Sequence, residues 1–421
     1  MCLTIPARVV GLSADGVTIE GPDGARSAAR TPLVPGLEPG DWVLHINGLV
    51  IRKISPADAR EIIELLEGGP PVDTALLDPG FRAAVEAVHR GEFGRGEIIR
   101  LLASEGLEKE ALFREADTVR RAYLKDFICI HGIIEFSNHC AMDCLYCGLR
   151  GAAPGVERYR MEPGEIVDTA VDAALDRGFK LLVLQSGDDP YYTDPMLVDI
   201  IRAIKESCRV FIFISAGERG RESYGALKEA GASGVLLRFE TSNPTLFRTL
   251  HPRGKDLDAR YDHLGFFKEL GYYVATGSLV GLPGQGLEDI AEDILVTRDL
   301  ADMVSTGPFI PTPGTPLAGS RAAAPDLYLK VSAVLRLMMK SARIPVVTAF
   351  ETLAGGTGRR RALRSGANSL MVNLTPESYR GLYTIYPDRF LDTNGIFERY
   401  GLFKYQGSFE MLEDRMSEEL A

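Results

Sequence analysis

The rhythm of apolar and polar positions changes character near residue 68. Before it, short alternating stretches (Arg8-Val-Val-Gly11, Gly16-Val-Thr-Ile-Glu20, Asp41-Trp-Val-Leu-His-Ile46) are separated by Gly, Pro and Asp turns. That period-two pattern predicts a small antiparallel, OB-like β-barrel over residues 1–68. Its terminal helix has Ser55 as N-cap, Pro56 at the first position and Glu61-Ile-Ile-Glu-Leu-Leu66 near its end. Gly68-Gly-Pro-Pro71 stops the helix and opens a linker over 69–77.

From Asp78, an N-cap before Pro79, the pattern is helical to about residue 125, as in Gly96-Glu-Ile-Ile-Arg-Leu-Leu102. Strand-like runs then recur at Phe127–Asn138, Lys180–Gly187, Val210–Gly217, Gly234–Thr241, Val274–Gly281, Met303–Ile310, Ile344–Phe350 and Asn368–Leu374. Amphipathic helical stretches such as Pro163–Arg177 and Leu257–Leu270 separate them, with one short exception, Gly358–Ser365. The alternation predicts an α/β protein with a parallel sheet, and the strand count favours a closed (β/α)₈ TIM-type barrel over 126–400, with 401–421 as a tail. An open doubly wound sheet is the alternative. The strand ends are polar or Gly-rich (Glu135-Phe-Ser-Asn138, Gln185-Ser-Gly-Asp-Asp189, Ser215-Ala-Gly-Glu218, Arg238-Phe-Glu-Thr241, Gly281-Leu-Pro-Gly284) while the strand bodies are apolar. A ligand-holding mouth at the C-terminal face of a barrel has this asymmetry.

Composition narrows the partners. Among 421 residues, Lys+Arg 47 against Asp+Glu 58 leaves a net charge of −11 with no basic run, which disfavours nucleic acid and anionic lipid. Apolar runs such as Lys180-Leu-Leu-Val-Leu184 are far shorter than the ~20 residues of a membrane helix. Met1-Cys-Leu-Thr-Ile-Pro6 has none of the regions of a secretory signal, so a cytoplasmic protein is expected.

Six cysteines are too sparse for a disulfide framework, yet Cys140, Cys144 and Cys147 fall within eight residues in a C-x₃-C-x₂-C spacing. Clustered cysteines in such a chain read as a metal or redox site. Three thiolates from one loop can hold three irons of a [4Fe–4S] cube and leave the fourth open to a small molecule with an amine and a carboxylate. Zinc would want a fourth ligand, which the adjacent His139 cannot supply without straining the loop. Cys129 and Cys208, in or beside apolar strands, read as small buried hydrophobes.

This cysteine spacing, with the aromatic Tyr146 before the last cysteine and the loop following the first barrel strand, resembles the radical S-adenosylmethionine (SAM) enzymes. The resemblance implies a [4Fe–4S] cluster that binds SAM through its amino and carboxylate groups and reduces the sulfonium, giving a 5′-deoxyadenosyl radical. Ile134-Glu-Phe-Ser-Asn138, Gln185-Ser-Gly-Asp-Asp-Pro-Tyr-Tyr192, Leu236-Leu-Arg-Phe-Glu-Thr241, Gly281-Leu-Pro-Gly-Gln285, Gly307-Pro-Phe-Ile-Pro311 and Ser378-Tyr-Arg-Gly-Leu-Tyr-Thr-Ile-Tyr-Pro387 together resemble the HydE branch, the radical enzymes of [FeFe]-hydrogenase maturation. The likeness implies that Tyr146, Gln185, Ser186, Gly187, Asp188, Ser215, Glu218, Arg238, Glu240 and Arg260 surround SAM. Arg238 and Glu240, two apart on the fourth strand, are expected to face the same way. Tyr383 and Tyr386 resemble the pair lining the family's substrate cavity, though their spacing also fits core packing on one helix face. Thr348 and Asn373, at the ends of strands seven and eight, are further substrate candidates. Phe239 stands where many HydE proteins carry histidine, a difference that bears on substrate choice. No cysteine follows Cys208, so the second cluster found in some members is absent.

At the other end, Met1-Cys-Leu-Thr-Ile-Pro6, Gly40-Asp-Trp-Val-Leu44 and Ile51-Arg-Lys-Ile-Ser-Pro-Ala-Asp-Ala59 resemble the HypC family of hydrogenase-maturation chaperones. With Met1 removed, Cys2 offers a thiolate and an α-amine of pKa ~7.7–8.0, and the resemblance implies that it carries an iron bearing CO and cyanide. His45 sits one position earlier than the family's histidine, a shift that reverses the facing side of a regular strand. The combined expectation is a maturase acting on an organometallic Fe–CO–CN–cysteine precursor. Its expected partners are other maturation proteins and a ferredoxin- or flavodoxin-like electron donor. The alternatives are a relative acting on an organic substrate, as biotin synthase, methylornithine synthase or an [Fe]-hydrogenase cofactor enzyme does, and a scaffold without turnover.

Overall fold

The computed structural model describes residues 5–13, 16–67, 72–124, 128–254 and 256–389. Cys2 and the 401–421 tail lie outside the described residues.

Five short strands, Ile5–Ser13, Gly16–Glu20, Arg26–Ala29, Trp42–Ile46 and Leu49–Ile54, form an antiparallel sheet in the order third, second, first, fourth, fifth. Alternating side chains (Ala7, Val9, Val17, Ile19, Ala29, Val43, Val50) bury one face, as a half-exposed sheet requires. Arg30 N–H donates to Gly48 O and Val50 N–H to Arg30 O, each at 2.8 Å, which draws the third and fifth strands together into a small barrel. The helix Pro56–Glu67 begins where its capping residues predict, with Asp58 N–H on Ser55 Oγ at 3.1 Å. The fourth–fifth strand pairing carries a bulge at Ile51, opposite the step from Leu44 to His45. Against the first strand His45 keeps regular register, paired with Ile5, so its early position still sets the side it faces.

After three helices (Pro79–Arg90, Arg95–Leu102, Gly106–Leu124), eight parallel strands follow: β1 (Cys129–Ser137), β2 (Leu181–Ser186), β3 (Phe211–Ser215), β4 (Gly234–Leu236), β5 (Tyr273–Thr276), β6 (Met303–Val304), β7 (Pro345–Val346) and β8 (Ser369–Asn373). Their spatial order is β6-β5-β4-β3-β2-β1-β8-β7. Val304 N–H donates to Arg343 O at 2.9 Å, bringing β6 to the entry of β7. The sheet is therefore a nearly closed barrel, and the open doubly wound alternative is set aside. Cys129, Ile133, Leu181, Val183, Phe211, Phe213, Tyr273, Ala275 and Met303 fill its interior, while the larger apolar core lies between strands and helices. Among the described residues no helix is long and apolar enough to cross a membrane.

Several strands are shorter than their apolar runs. The runs through residues 281 and 310 break into β5 and β6 plus a separate two-strand ladder, Leu279–Val280 beside Gly307–Pro308. The seventh run ends at Val346, and Thr348 opens the helix Thr348–Ala354 instead of ending a strand.

Candidate functional site

A cavity of about 350 Å³ opens at the C-terminal ends of the strands, as in other barrels of this architecture. Its outer wall is the loop after β1, which carries the three cysteines. Ala141 N–H donates to Asp188 O at 2.8 Å, Leu145 N–H to Leu250 O at 2.9 Å, and Gly148 N–H to Ile385 O at 2.9 Å, so the loop is pinned at three places. At Gly187 a Cβ would lie 2.2 Å from His139 O and 2.8 Å from Cys140 Cβ, so only glycine admits the β2 end this close to the first cysteine. Asp188 N–H points at Cys140 Sγ, 3.4 Å away.

Cys140 and Cys144 line the cavity, and Cys147 N–H donates to Cys144 O at 3.3 Å. Burial pushes all three thiols up, Cys147 to about 12, and the charges of the other cysteines add to the rise at Cys144 and Cys147. Three mutually sensed, buried thiols are poor thiolates alone; a bound cationic iron cluster removes that penalty. Tyr146 is held beside them. Its hydroxyl lies 3.0 Å from His251 Nε2, while His251 Nδ1 lies 2.8 Å from Phe247 O. The carbonyl only accepts, so this network assigns the hydrogen to Nδ1 and leaves Nε2 to accept from Tyr146. Burial lowers the His251 pKa and keeps the ring neutral.

Gln185, Ser186, Asp188, Ser215, Glu218, Arg238, Glu240 and Arg260 all line the cavity; Gly187 packs behind it. Arg260 Nε sits 2.5 Å from Glu218 Oε1 and its Nη1 donates to the Arg238 carbonyl. Burial raises the Asp188 carboxyl, with Arg219 opposing. Arg238 and Glu240 do meet, Nη2 to Oε2 at 3.0 Å, but not through strand alternation, because β4 stops at Leu236. Glu240 instead takes a left-handed backbone, φ 67°, a conformation that costs a non-glycine residue about 1–3 kcal/mol and persists where the surroundings over-determine it. Arg238 Nε is buried without a hydrogen-bond partner, and Glu240 Oε2 has only its ion pair with Arg238. A ligand carrying both an ammonium and a carboxylate supplies what these orphaned groups lack, so the residues present fit SAM.

Thr348, Tyr383 and Tyr386 also line the cavity, together with Ile133, Leu236 and Met371. Gln185 Nε2 donates to the Tyr383 hydroxyl at 3.2 Å. Burial raises both tyrosines, Tyr386 to about 12. Asn373 does not line the space; its Nδ2 donates to Glu135 Oε2 at 2.8 Å. Phe239 is fully buried against Tyr261, with ring centroids 6.1 Å apart, behind the cavity wall. Three lining residues escape sequence reasoning. Glu135 belongs to the polar end of β1 but had no visible partner, since Arg389 is 254 positions away; Arg389 Nη2 lies 2.5 Å from Glu135 Oε1. His251 follows the helix Pro244–Leu250 with no spacing signal to mark it.

Comparison with known proteins agrees with this geometry. Residues 134–295 match the radical SAM superfamily and residues 1–66 the HupF/HypC family. The chain is 45% identical over 311 residues to the [FeFe] hydrogenase maturase subunit HydE of Thermotoga maritima, covering 73% of this chain and 88% of that one. It is 33% identical over 287 residues to the 3-methylornithine synthase of Methanosarcina barkeri, covering 67% and 79%. The crystal structure of a methylornithine synthase superposes with a TM-score of 0.70 at 28% identity, covering 78% of this chain and 99% of that one.

Proposed function

This chain belongs to the radical SAM superfamily and, within it, to the family of the [FeFe] hydrogenase maturase subunit HydE, and from that premise we propose its substrate and a division of labour along the cavity. The substrate is an organometallic iron complex bearing CO, cyanide and cysteine, bound against Thr348, Tyr383 and Tyr386. Cys140, Cys144 and Cys147 hold the [4Fe–4S] cluster. Arg238, Glu240 and Arg260 grip the charged methionyl part of SAM, with Ser186, Gly187 and Asp188 beside its amine and Ser215 and Glu218 towards its ribose and sulfonium. Tyr146 and Gln185 complete the wall, and Asn373 orients Glu135. Held by these three cysteines, the cluster would supply one-electron reduction of SAM.

One observation carries this reading: a single cavity is lined by two of the cysteines, the Arg238–Glu240 pair and the two tyrosines. A radical formed in this cavity meets a substrate held in the same space without crossing bulk water. The electron comes from a ferredoxin- or flavodoxin-type donor. The HypC-like domain brings the iron precursor, with Cys2 as carrier, and docks other maturation proteins.

The test follows 5′-deoxyadenosine and adenosylated products from the anaerobically reconstituted, reduced full chain with SAM, with and without an Fe(CO)₂(CN)-cysteine complex. Product formation that depends on the iron complex supports the proposal, and stimulation only by an amino acid or thioether overturns it in favour of an organic substrate. No SAM cleavage under any condition leaves a scaffold. Cys2→Ala should keep SAM cleavage yet lose iron delivery; unchanged maturation in cells removes the carrier role.

A further inference from the structure

Behind the cavity wall, on the helix Leu287–Leu300, lies a buried carboxylate that touches no cavity surface. Asp293 is 1% exposed. Its Oδ1 accepts from Ser242 N–H at 2.5 Å and from Ser242 Oγ at 2.6 Å. Its Oδ2 accepts from Gln285 Nε2 at 2.8 Å. Gln285 in turn organises the loop after the Leu279–Val280 strand: its Oε1 accepts from Gly281 N–H at 2.7 Å and Leu282 N–H at 3.1 Å, and its Nε2 also donates to Leu279 O at 2.9 Å. Leu279 N–H closes the circuit on Glu240 O at 2.8 Å. One carboxylate thus ties together the two chain segments on either side of Glu240, through Ser242 two residues downstream and through Leu279 across the ladder.

The backbone of Glu240 needs such a tie. Its φ of 67° is unfavourable for a residue with a Cβ, and no regular strand holds it, since β4 ends four residues earlier at Leu236. Remaining contacts are few: Glu240 N–H on Gly277 O at 3.2 Å and Thr241 N–H on Phe239 O at 2.8 Å. A carboxylate that accepts three hydrogen bonds at once suits this task better than any neutral side chain of its size, because both oxygens accept and neither must donate.

We infer that Asp293 is a positioning residue, which holds Glu240 in its left-handed backbone and so sets the affinity for SAM. The inference rests on the SAM site proposed above and adds a residue outside it. In Asp293→Asn, Oδ1 keeps Ser242, but the amide nitrogen meets Gln285 Nε2, donor against donor, and the Leu279–Gln285 loop loses its anchor.

The experiment is a double-mutant cycle on the reconstituted full chain, with SAM dissociation constants measured by titration. Asp293→Asn should weaken SAM by about tenfold, a coupling of ordinary size for residues in one network, at unchanged iron content and with the barrel still folded. In a Glu240→Gly background, where the left-handed backbone carries no penalty, adding Asp293→Asn should change the affinity by less than about twofold. Equal loss in both backgrounds, or wild-type affinity in the single variant, overturns the inference. Amide hydrogen exchange in the metal-free chain gives a second readout: residues 239–242 and the Leu279–Gln285 loop should exchange faster in Asp293→Asn, and the rest of the barrel no faster. If the wild type fails to bind SAM, the proposed function falls on that result, and the exchange measurement still decides whether Asp293 holds Glu240.

Discussion

His131 sits on β1 with its ring fully buried, Nε2 3.1 Å from Cys129 Sγ. Burial lowers its pKa from 6.5 to about 3, and Arg343 nearby pushes the same way. Between those values the unfolded chain takes up a proton that the folded chain refuses. This group's contribution to stability is therefore complete above pH 6.5 and is lost as pH falls towards about 3. His131→Leu should remove that part of the slope, so urea midpoints of wild type and variant should converge or cross on acidification; parallel profiles would show that the ring takes no part. Asp293, raised to about 7 by burial, slopes the other way in both proteins and cancels in the difference. Such a histidine illustrates what one sequence conceals at this scale. Cys140, Cys144 and Cys147 announce themselves by spacing, whereas the burial of His131 and the pairing of Glu135 with Arg389 depend on distant chain returning to the same place.

The segment from Thr375 to Arg389 crosses the mouth of the barrel as a strap. It is fastened by Asn138 Nδ2 on Leu382 O at 2.8 Å, by Gly148 N–H on Ile385 O at 2.9 Å and by the Glu135–Arg389 pair, whose side chains are 1% and 10% exposed. At Gly148 a Cβ would lie 2.1 Å from Thr384 O, so the strap and the cysteine loop are in backbone contact. Arg389→Met strands a buried carboxylate and should cost about 3–5 kcal/mol in urea unfolding, whereas adding Glu135→Gln should recover most of that loss. A double variant as unstable as the sum of the singles would show that the pair does not act as one unit. Among the elements, helix starts and strand order were legible because caps and β/α alternation are local signals. Strand ends were not. The apolar runs of strands four to seven continue past the hydrogen-bonded ladder, and the chain beyond Leu236 and Val346 serves the cavity with a left-handed residue and a helix start that period-two patterning cannot express.

At the scale of the whole molecule, two modules that recur in hydrogenase maturation share one chain, and both were visible in the sequence through motifs instead of through composition. The −11 charge argued against nucleic acid and said nothing of iron; the cysteine loop and its neighbours at the strand ends carried the assignment. The structure adds what spacing could not, namely that these distant strand ends converge on one cavity. The most direct test of that account is electron paramagnetic resonance of the anaerobically reconstituted, reduced full chain, recorded before and after SAM is added. The account predicts a [4Fe–4S] signal that changes on SAM binding and is lost in Cys140→Ala. A protein without a cubane at this loop, or one whose spectrum is indifferent to SAM, would contradict it.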